Sequence, residues 1–233
     1  MGGRWATTTL PLSLDSGLPP NSGEPLSFVA RPVAPARVVV LASGSGTLLQ
    51  ALLDAVNSNY PAEVVAVGSD TALAQALARA KSAGVQQFVV APGEFPTRVQ
   101  WDAALAAKVA EYEPDLVVLA GFMRLVGSQF LARFGGRTIN SHPALLPAFP
   151  GANAVADALA YGVAVTGASL IFVGAGVDDG PILSQVPVAV HLDDDESSLH
   201  ERIKQAERAL LVEQVARLAS FGWTIDERKV SVP

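Results

Sequence analysis

The chain has 233 residues, half of them apolar and 16% charged, which fits a globular domain with a sizeable core rather than a disordered or fibrous protein. A net charge of −6 without a cluster of Lys and Arg argues against a nucleic-acid surface. The lack of cysteine excludes disulfides, thiolate metal sites and a cysteine nucleophile, and no apolar run approaches the ~20 residues of a membrane span. These features favour a cytoplasmic protein that acts on small molecules, without membrane or nucleic-acid partners. They leave open whether it is a monomer or a homodimer.

The first part of the chain differs in composition from the rest. Residues 1–36 are rich in Gly, Pro, Ser and Thr and lack the continuous apolar segment of a secretion signal. We expect residues 1–36 to be a disordered N-terminal extension and residues 37–233 to form a single domain.

Beyond residue 36, short β-branched runs alternate with segments of helical spacing. Strands are predicted at residues 37–42, 63–67, 87–91 and 115–120. Helices are predicted between them at residues 48–56, 72–81 and 98–112. This alternation with short links predicts an α/β fold, in which a mostly parallel twisted sheet carries helices on both faces.

After Gly121 the pattern changes. The predicted elements are a strand at 137–140, a proline-rich loop at 143–151, a helix at 154–161, strands at 168–173 and 182–190, and a long helix at 196–220. Ligands of open α/β sheets bind outside the carboxyl ends of the strands. We therefore expect a site near Gly46, Gly121 and Asn140, which all fall at predicted strand ends.

The first predicted strand ends in a glycine-rich turn, Ser43, Gly44, Ser45, Gly46 and Thr47. Such a turn can hold a phosphate, because its backbone and the following helix N-terminus present N–H donors. It can equally be a tight strand-to-helix turn with Ser45 or Thr47 as the helix cap. It matches neither the dinucleotide fingerprint nor the Walker loop, so the turn alone leaves both interpretations open.

Asn140 and His142 directly follow a predicted strand, and Pro143 stiffens the chain after them. An amide and an imidazole together can donate two hydrogen bonds to an oxyanion, as acyl transfer to an amine requires. A carboxylate beside the imidazole would favour its protonated form and could order a proton-shuttling water. Asp178, in a Gly- and Asp-rich loop, is the candidate, although that loop can also be a simple polar turn.

The remaining candidate residues are expected to have structural or solvated positions. His191 lies in an acidic turn, and His200 falls on the predicted final helix. Trp101 and Trp223 are expected to pack in the interior. A three-histidine metal site would need every histidine in the chain, so we predict no metal site.

Several stretches together resemble the phosphoribosylglycinamide formyltransferase family, the folate-dependent enzymes of purine synthesis. The matching segments are residues 38–46, 114–124, 139–147, 150–151 and 177–181. The most specific of them is the Asn-x-His-Pro-x-Leu-Leu-Pro segment that begins at Asn140, paired with the later Asp-x-Gly-Pro that begins at Asp178. The resemblance covers about residues 37–220 and implies a Rossmann-like formyltransferase fold.

The resemblance also implies a reaction, the transfer of a formyl group from the co-substrate 10-formyltetrahydrofolate to the amine of glycinamide ribonucleotide. It gives catalytic roles to Asn140, His142 and Asp178. The implied contacts to the ribonucleotide are Gly46, Thr47, Leu48, Lys204, Gln205, Ala206 and Glu207, with Glu207 receiving the amine. The implied folate contacts are Arg98, Met123, Arg124, Leu125, Val126, Asn140, Gly174, Ala175, Gly176, Val177 and Asp178. A cis peptide bond before Pro147 is implied as well.

Three positions depart from the family pattern. The family usually has Asn where Leu48 stands, and His at the positions of Asn153 and Ile171. These departures keep two alternatives open. One is a non-catalytic or divergent folate- or nucleotide-binding paralogue, and the other is a sugar-nucleotide N-formyltransferase.

Overall fold

A computed structural model describes residues 27–233 of the chain. The strands are β1 (Ser27–Ala30), β2 (Ala36–Leu41), β3 (Ala62–Ser69), β4 (Gln86–Val89), β5 (Leu116–Leu119), β6 (Thr138–His142), β7 (Val165–Phe172), β8 (Ile182–Ala189), β9 (Trp223–Asp226) and β10 (Lys229–Ser231). The α-helices are α1 (Thr47–Ala55), α2 (Gln75–Ser82), α3 (Arg98–Ala110), α4 (Ser128–Phe134), α5 (Ala154–Tyr161) and α6 (Glu196–Phe221). A short 3₁₀ helix lies at Pro92–Glu94.

The main sheet has seven strands in the order β4-β3-β2-β5-β6-β7-β8. Every neighbouring pair from β4 to β6 is parallel, whereas β7 is antiparallel to both β6 and β8. The predicted α/β architecture with a mostly parallel sheet is therefore confirmed. A second sheet, in the order β1-β9-β10, joins the two ends of the described chain.

The main sheet separates two apolar cores. Alternate residues of a strand point to opposite faces, and in β2 Val38 and Val40 enter one core while Val39 and Leu41 enter the other. Helices α1, α2 and α6 contribute to the first core, and α3 and α4 to the second. The predicted placement of helices on both faces is thus confirmed.

The long helix α6 begins with a reciprocal cap. The side chain of Asp195 accepts a hydrogen bond from the Ser198 N–H, and the Ser198 hydroxyl accepts one from the Asp195 N–H. Its apolar side chains, among them Leu199, Ile203 and Leu211, are fully buried. The helix therefore lies fixed against the sheet and presents its adjacent, more polar side to the strand ends.

The structure differs from the sequence predictions in several places, and strands β9 and β10 after the last helix are among the elements that were not predicted. The folded part begins before residue 37, because β1 at Ser27–Ala30 pairs with β9; the expectation of disorder is wrong for this segment, and residues 1–26 lie outside the described range. Helix α4 was not predicted, since its seven residues are too few to show a helical period. Strand β6 extends to His142, two residues beyond its predicted end. Trp101 and Trp223 are buried, as predicted.

Helix α4 is capped by a residue from another helix. Asp102 of α3 is 2% exposed, and its carboxylate accepts hydrogen bonds from the backbone N–H groups of Gly127, Gln129 and Phe130. The cap residue Gly127 has no side chain for this purpose. Asp102 therefore neutralises the positive end of α4 and fixes the end of the loop that follows β5.

Replacing Asp102 with alanine should lower the free energy of unfolding by about 2 kcal/mol, because buried N–H donors lose their acceptor. Chemical denaturation measures the change. Glu111→Ala, which removes an exposed ion pair with Lys108, serves as the control and should change stability by less than about 1 kcal/mol. Equal stability of Asp102→Ala and wild type would contradict the capping role.

Candidate active site

A cleft of about 440 Å³ opens where the loops after β2, β5 and β6 meet α6 and the loop between β7 and β8. Its wall is formed by residues 44–48, 119–126, 140–143, 151–152, 171, 173–174, 176–178, 200, 204 and 207. The cleft thus lies at the carboxyl ends of the parallel strands, as the predicted fold requires.

His142, the last residue of β6, is held from both sides of its ring. Its Nδ1 lies 3.3 Å from Oδ2 of Asp178, and its Nε2 lies 2.8 Å from the carbonyl oxygen of Phe149. Carboxylate and carbonyl oxygens only accept hydrogen bonds, so both contacts are hydrogen bonds only when both ring nitrogens carry protons. The side chain is 4% exposed, so the protein rather than solvent sets its orientation.

Asp178 links the separate parts of this arrangement. Its Oδ1 accepts a hydrogen bond from Nδ2 of Asn140 at 3.4 Å, and its Oδ2 accepts one from the N–H of Gly151 at 2.9 Å. The same Oδ2 faces His142. One largely buried carboxylate therefore orients an amide, an imidazole and the proline-rich loop at the same time.

The position of Asp178 follows from the reversed direction of β7. The loop after β7 leaves the sheet beside the first residues of β6, where the Val173 N–H donates to the carbonyl of Thr138. Asp178 then has a left-handed backbone with φ 49°, and Phe149, whose carbonyl faces His142, has φ 52°. This conformation costs non-glycine residues about 1–2 kcal/mol each, so the surrounding contacts must hold both turns in place.

The glycine turn after β2 forms one end of the cleft. Gly46 has φ 70°, and a Cβ at this position would come within 2.8 Å of Cα of Ala76, so only glycine fits. Helix α1 begins at Thr47 with no side-chain cap and no acidic residue in its first turn. Its first N–H groups therefore form a site suited to an anion. Arg79 supports the turn by donating to the carbonyl of Ser45 at 2.7 Å.

One side of α6 presents His200, Lys204 and Glu207 to the cleft. Glu207 is 5% exposed, and burial raises the pKa of its carboxyl group, while Ser141, Lys204 and Arg208 act in the opposite direction. The hydroxyl of Ser141 donates to Oε1 of Glu207 at 2.6 Å. Burial, followed by the charge of Lys204, lowers the pKa of His200.

The loop after β5 is held by polar contacts and exposes apolar side chains. The N–H of Met123 donates to the hydroxyl of Ser43, and Nε of Arg124 donates to Oδ2 of the buried Asp70. Yet Met123 is 75% exposed, and Leu125 and, from the opposite loop, Val177 are also exposed. The rim of the cleft therefore combines apolar side chains with fixed main-chain groups.

Comparison with known proteins identifies this arrangement. Residues 36–215 match the family described as formyl transferase. The chain belongs to this formyl transferase family. It is 58% identical over 201 residues to a phosphoribosylglycinamide formyltransferase of Mycobacterium tuberculosis, a match that covers 86% of this chain and 93% of that protein.

Two further matches support the same assignment. The crystal structure of glycinamide ribonucleotide transformylase 1 from Symbiobacterium toebii has a TM-score of 0.82 to this formyl transferase at 44% identity, covering 84% of this chain and 93% of that chain. The human trifunctional purine biosynthetic protein adenosine-3 is 39% identical over 186 residues, which cover 79% of this chain and 18% of that protein. The resemblance inferred from the sequence motifs is confirmed.

The structure of this formyl transferase brings most of the expected site residues to one cleft. Besides Asn140, His142 and Asp178, the wall includes Gly46, Thr47, Leu48, Lys204, Glu207, Met123, Arg124, Leu125, Val126, Gly174, Gly176 and Val177. Gln205, Ala206 and Ala175 do not line it. Arg98 lines a smaller adjacent pocket and reaches the cleft loop by donating to the carbonyl of Leu125 at 2.8 Å. The peptide bond before Pro147 is cis, as expected.

The three departures from the family pattern have different surroundings. Leu48 lines the cleft and packs against the first core. Ile171 lies directly opposite Asn140 in the β6–β7 pair and is buried in the cleft wall. Asn153 is the exposed residue before α5 and does not line the cleft. Two of the three positions therefore place an apolar side chain in the cleft wall.

Sequence reasoning missed several functional contacts. Ser141, the carbonyl of Phe149, the N–H of Gly151 and the ring of His200 all belong to the site. No motif marks Ser141 or His200, and main-chain groups carry no sequence signal at all. Within residues 27–233, no group of three or more His, Asp or Glu side chains is arranged to hold a metal ion.

Asp70 provides a test of the loop that carries Arg124. Burial alone would raise the pKa of Asp70, but hydrogen bonds from Ser43 and Arg124 outweigh it, so the pKa is lowered. A lowered pKa means that the stabilisation is present above the unfolded pKa, near ~3.9, and is lost as the pH falls towards the folded value. Wild type should therefore exceed Asp70→Asn in free energy of unfolding at pH 7, and the difference should shrink below about pH 4.

Denaturation of both proteins across this pH range measures the effect. Asp226→Asn, at an exposed position of β9, is the matched control for the loss of a carboxylate away from this loop. A constant difference between wild type and Asp70→Asn at all pH values would show that the loss is not linked to ionisation.

Proposed function

We propose that the chain transfers a formyl group from 10-formyltetrahydrofolate to the amine of glycinamide ribonucleotide, as a phosphoribosylglycinamide formyltransferase of purine biosynthesis. The observation that carries the proposal is the contact of 3.3 Å between Nδ1 of His142 and Oδ2 of Asp178, with Asn140 hydrogen-bonded to the same carboxylate. The 58% identity to a phosphoribosylglycinamide formyltransferase supports this substrate over an amino-sugar nucleotide.

Asn140 and His142 supply what acyl transfer to an amine needs. When an amine adds to a formyl group, negative charge develops on the formyl oxygen. The amide of Asn140 and the protonated ring of His142 donate hydrogen bonds to that oxygen in this proposal. Both side chains line the cleft, and both are oriented by Asp178 before any substrate binds. Asn140 keeps a second N–H for that oxygen, whereas Nε2 of His142 contacts the carbonyl of Phe149 in this structure and must exchange that acceptor for the formyl oxygen when the substrates bind.

Asp178 has two roles in the proposed reaction. Its Oδ2 lies 3.3 Å from Nδ1 of His142 and so fixes the orientation of the ring. Because the attacking amine must lose a proton, a carboxylate at this position can also order a water that carries the proton away. The N–H of Gly151, which donates to Oδ2, fixes the carboxylate in the orientation that both roles need.

The cleft offers hydrogen-bonding partners for the polar groups of a phosphorylated amine. The glycine turn and the uncapped N-terminus of α1 offer N–H donors to the phosphate. The carboxylate of Glu207, on the wall formed by α6, offers an acceptor to hydrogen-bond donors of the same substrate. Leu48 contributes no polar side chain, so in this proposal the backbone carries the phosphate contacts.

The formyl donor fits the remaining part of the cleft. A folate has a flat heteroaromatic ring that needs apolar walls and hydrogen-bonding partners at its edge. Met123, Leu125 and Val177 provide exposed apolar surface at the rim, and the main chain of residues 123–126 and 174–178 provides donors and acceptors. The donor supplies the activated formyl group, and Arg98 and Arg124 lie beside the rim to meet its anionic end.

The cellular setting belongs to the same proposal. We place the enzyme in the cytoplasm, acting on small molecules without a nucleic-acid partner, which its net charge of −6 supports. Among residues 27–233, no helix is both long enough and apolar enough to cross a membrane.

The purified protein should formylate glycinamide ribonucleotide, and His142→Ala should lower kcat by about 10²–10⁴-fold because a hydrogen-bond donor to the reacting oxygen is lost. A coupled spectrophotometric assay of donor consumption measures the rate. His191→Ala, in the exposed acidic turn, is the matched control and should retain wild-type activity. Formylation of an amino-sugar nucleotide instead would refute the substrate, and folate binding without turnover of either amine would refute catalysis.

Asp178→Asn should reduce kcat by a similar factor, and the double variant His142→Ala/Asp178→Asn should cost little more than either single change. Residues that act as one unit are strongly non-additive in this way. Kinetics of the four proteins form a double-mutant cycle. Additive losses would show that Asp178 acts independently of His142.

A further inference from the structure

Ser141 lies between two proposed catalytic residues but faces the other side of the sheet. Successive side chains of a strand alternate, so Ser141 points towards α6 while Asn140 and His142 point towards the Asp178 loop. Its hydroxyl donates to Oε1 of Glu207 at 2.6 Å, and both residues line the cleft. Ser141 is thus the link between the catalytic strand and the helix that faces the substrate.

Glu207 needs such a partner because it is buried. A carboxylate removed from water is costly unless hydrogen bonds or charges compensate it. Ser141 supplies one short hydrogen bond to Oε1, while Lys204 and Arg208 on the same helix contribute their positive charge. Within residues 27–233, the second oxygen, Oε2, accepts no hydrogen bond.

We propose that Ser141 is a positioning residue for the amine substrate: its hydroxyl holds Oε1 of Glu207, so that Oε2 is left to accept a hydrogen bond from a donor group of the ribonucleotide. The inference rests on the proposed function, because it assigns part of the recognition of the ribonucleotide in that reaction. It links recognition to catalysis, since one strand then positions both an acceptor for the ribonucleotide and the donors to the formyl oxygen.

The hydroxyl also influences the ionisation of Glu207. Burial raises the pKa of this carboxyl group, and the hydrogen bond from Ser141 opposes that effect. Loss of the hydroxyl should raise the pKa further, so that the carboxylate becomes protonated at a higher pH. The other charged or titratable groups around the cleft are His200, Lys204 and Arg208 on α6, His142 on β6, and Arg124 and Asp178 on the loops.

The experiment compares Ser141→Ala with Ser141→Thr and Ser141→Val, a pair of nearly equal shape of which only threonine keeps the hydroxyl. Steady-state KM for glycinamide ribonucleotide and for the formyl donor is measured from about pH 5.5 to 9 on the full-length protein. Ser184→Ala, at a half-buried position of β8 outside the cleft, is the matched control, and thermal unfolding checks that each variant is folded.

Ser141→Ala and Ser141→Val should raise KM for the amine substrate about tenfold, as expected for a lost hydrogen bond to a charged group, and leave KM for the donor unchanged. The rise of this KM at acid pH should begin at a higher pH than in wild type. Ser141→Thr should behave as wild type. The ionisation of the substrate's amine affects all variants equally. A difference between the pH profiles of their KM values therefore comes from the protein.

Two results would overturn the inference. If wild type turns over but Ser141→Ala and Ser141→Val keep its KM and pH profile, Ser141 has no positioning role, whereas the proposed function stands. If both KM values change together and threonine does not restore them, the residue acts through packing alone. Wild-type protein without turnover would overturn the proposed function and this inference with it.

Discussion

The site depends on one contact that joins distant parts of the chain, the approach of Asp178 to His142. His142 ends a parallel strand, whereas Asp178 lies in a loop that leaves an antiparallel one. The contact forms because β7 is reversed and because Asp178 and Phe149 have left-handed backbones. These features restrict the ring, the amide of Asn140 and the proline-rich loop to a single arrangement.

Buried carboxylates organise each wall of the cleft in the same way. Asp102 caps α4 after the loop that follows β5, Asp70 holds Arg124, Asp178 contacts Asn140 and His142, and Glu207 is held by Ser141. A buried carboxylate must be compensated, and each of these is compensated by groups from a different segment. The hydrogen bonds that compensate the buried charges therefore also fix the segments that provide them.

The apolar replacements in the wall bear on how the substrates are held. Leu48 and Ile171 are apolar side chains of the cleft wall, and the contacts among Asn140, His142 and Asp178 form beside them. The backbone N–H groups at the glycine turn and the polar side chains of α6 supply hydrogen-bonding groups to the same wall. Ser141 and His200, which no motif marked, also line the cleft, and Ser141 contacts α6 through Glu207.

The sequence by itself determined the alternation of strands and helices, the glycine turn and the family motifs, because these depend on local periodicity and on residue types in short segments. It did not reveal β1, whose pairing with β9 joins residues almost two hundred positions apart, or the short helix α4, whose cap comes from α3. Only the tertiary structure decided that Asp178 reaches His142 and that Ser141 holds Glu207. Both contacts depend on strand direction and backbone conformation between segments that are separated in the chain, and local sequence patterns carry no information about either.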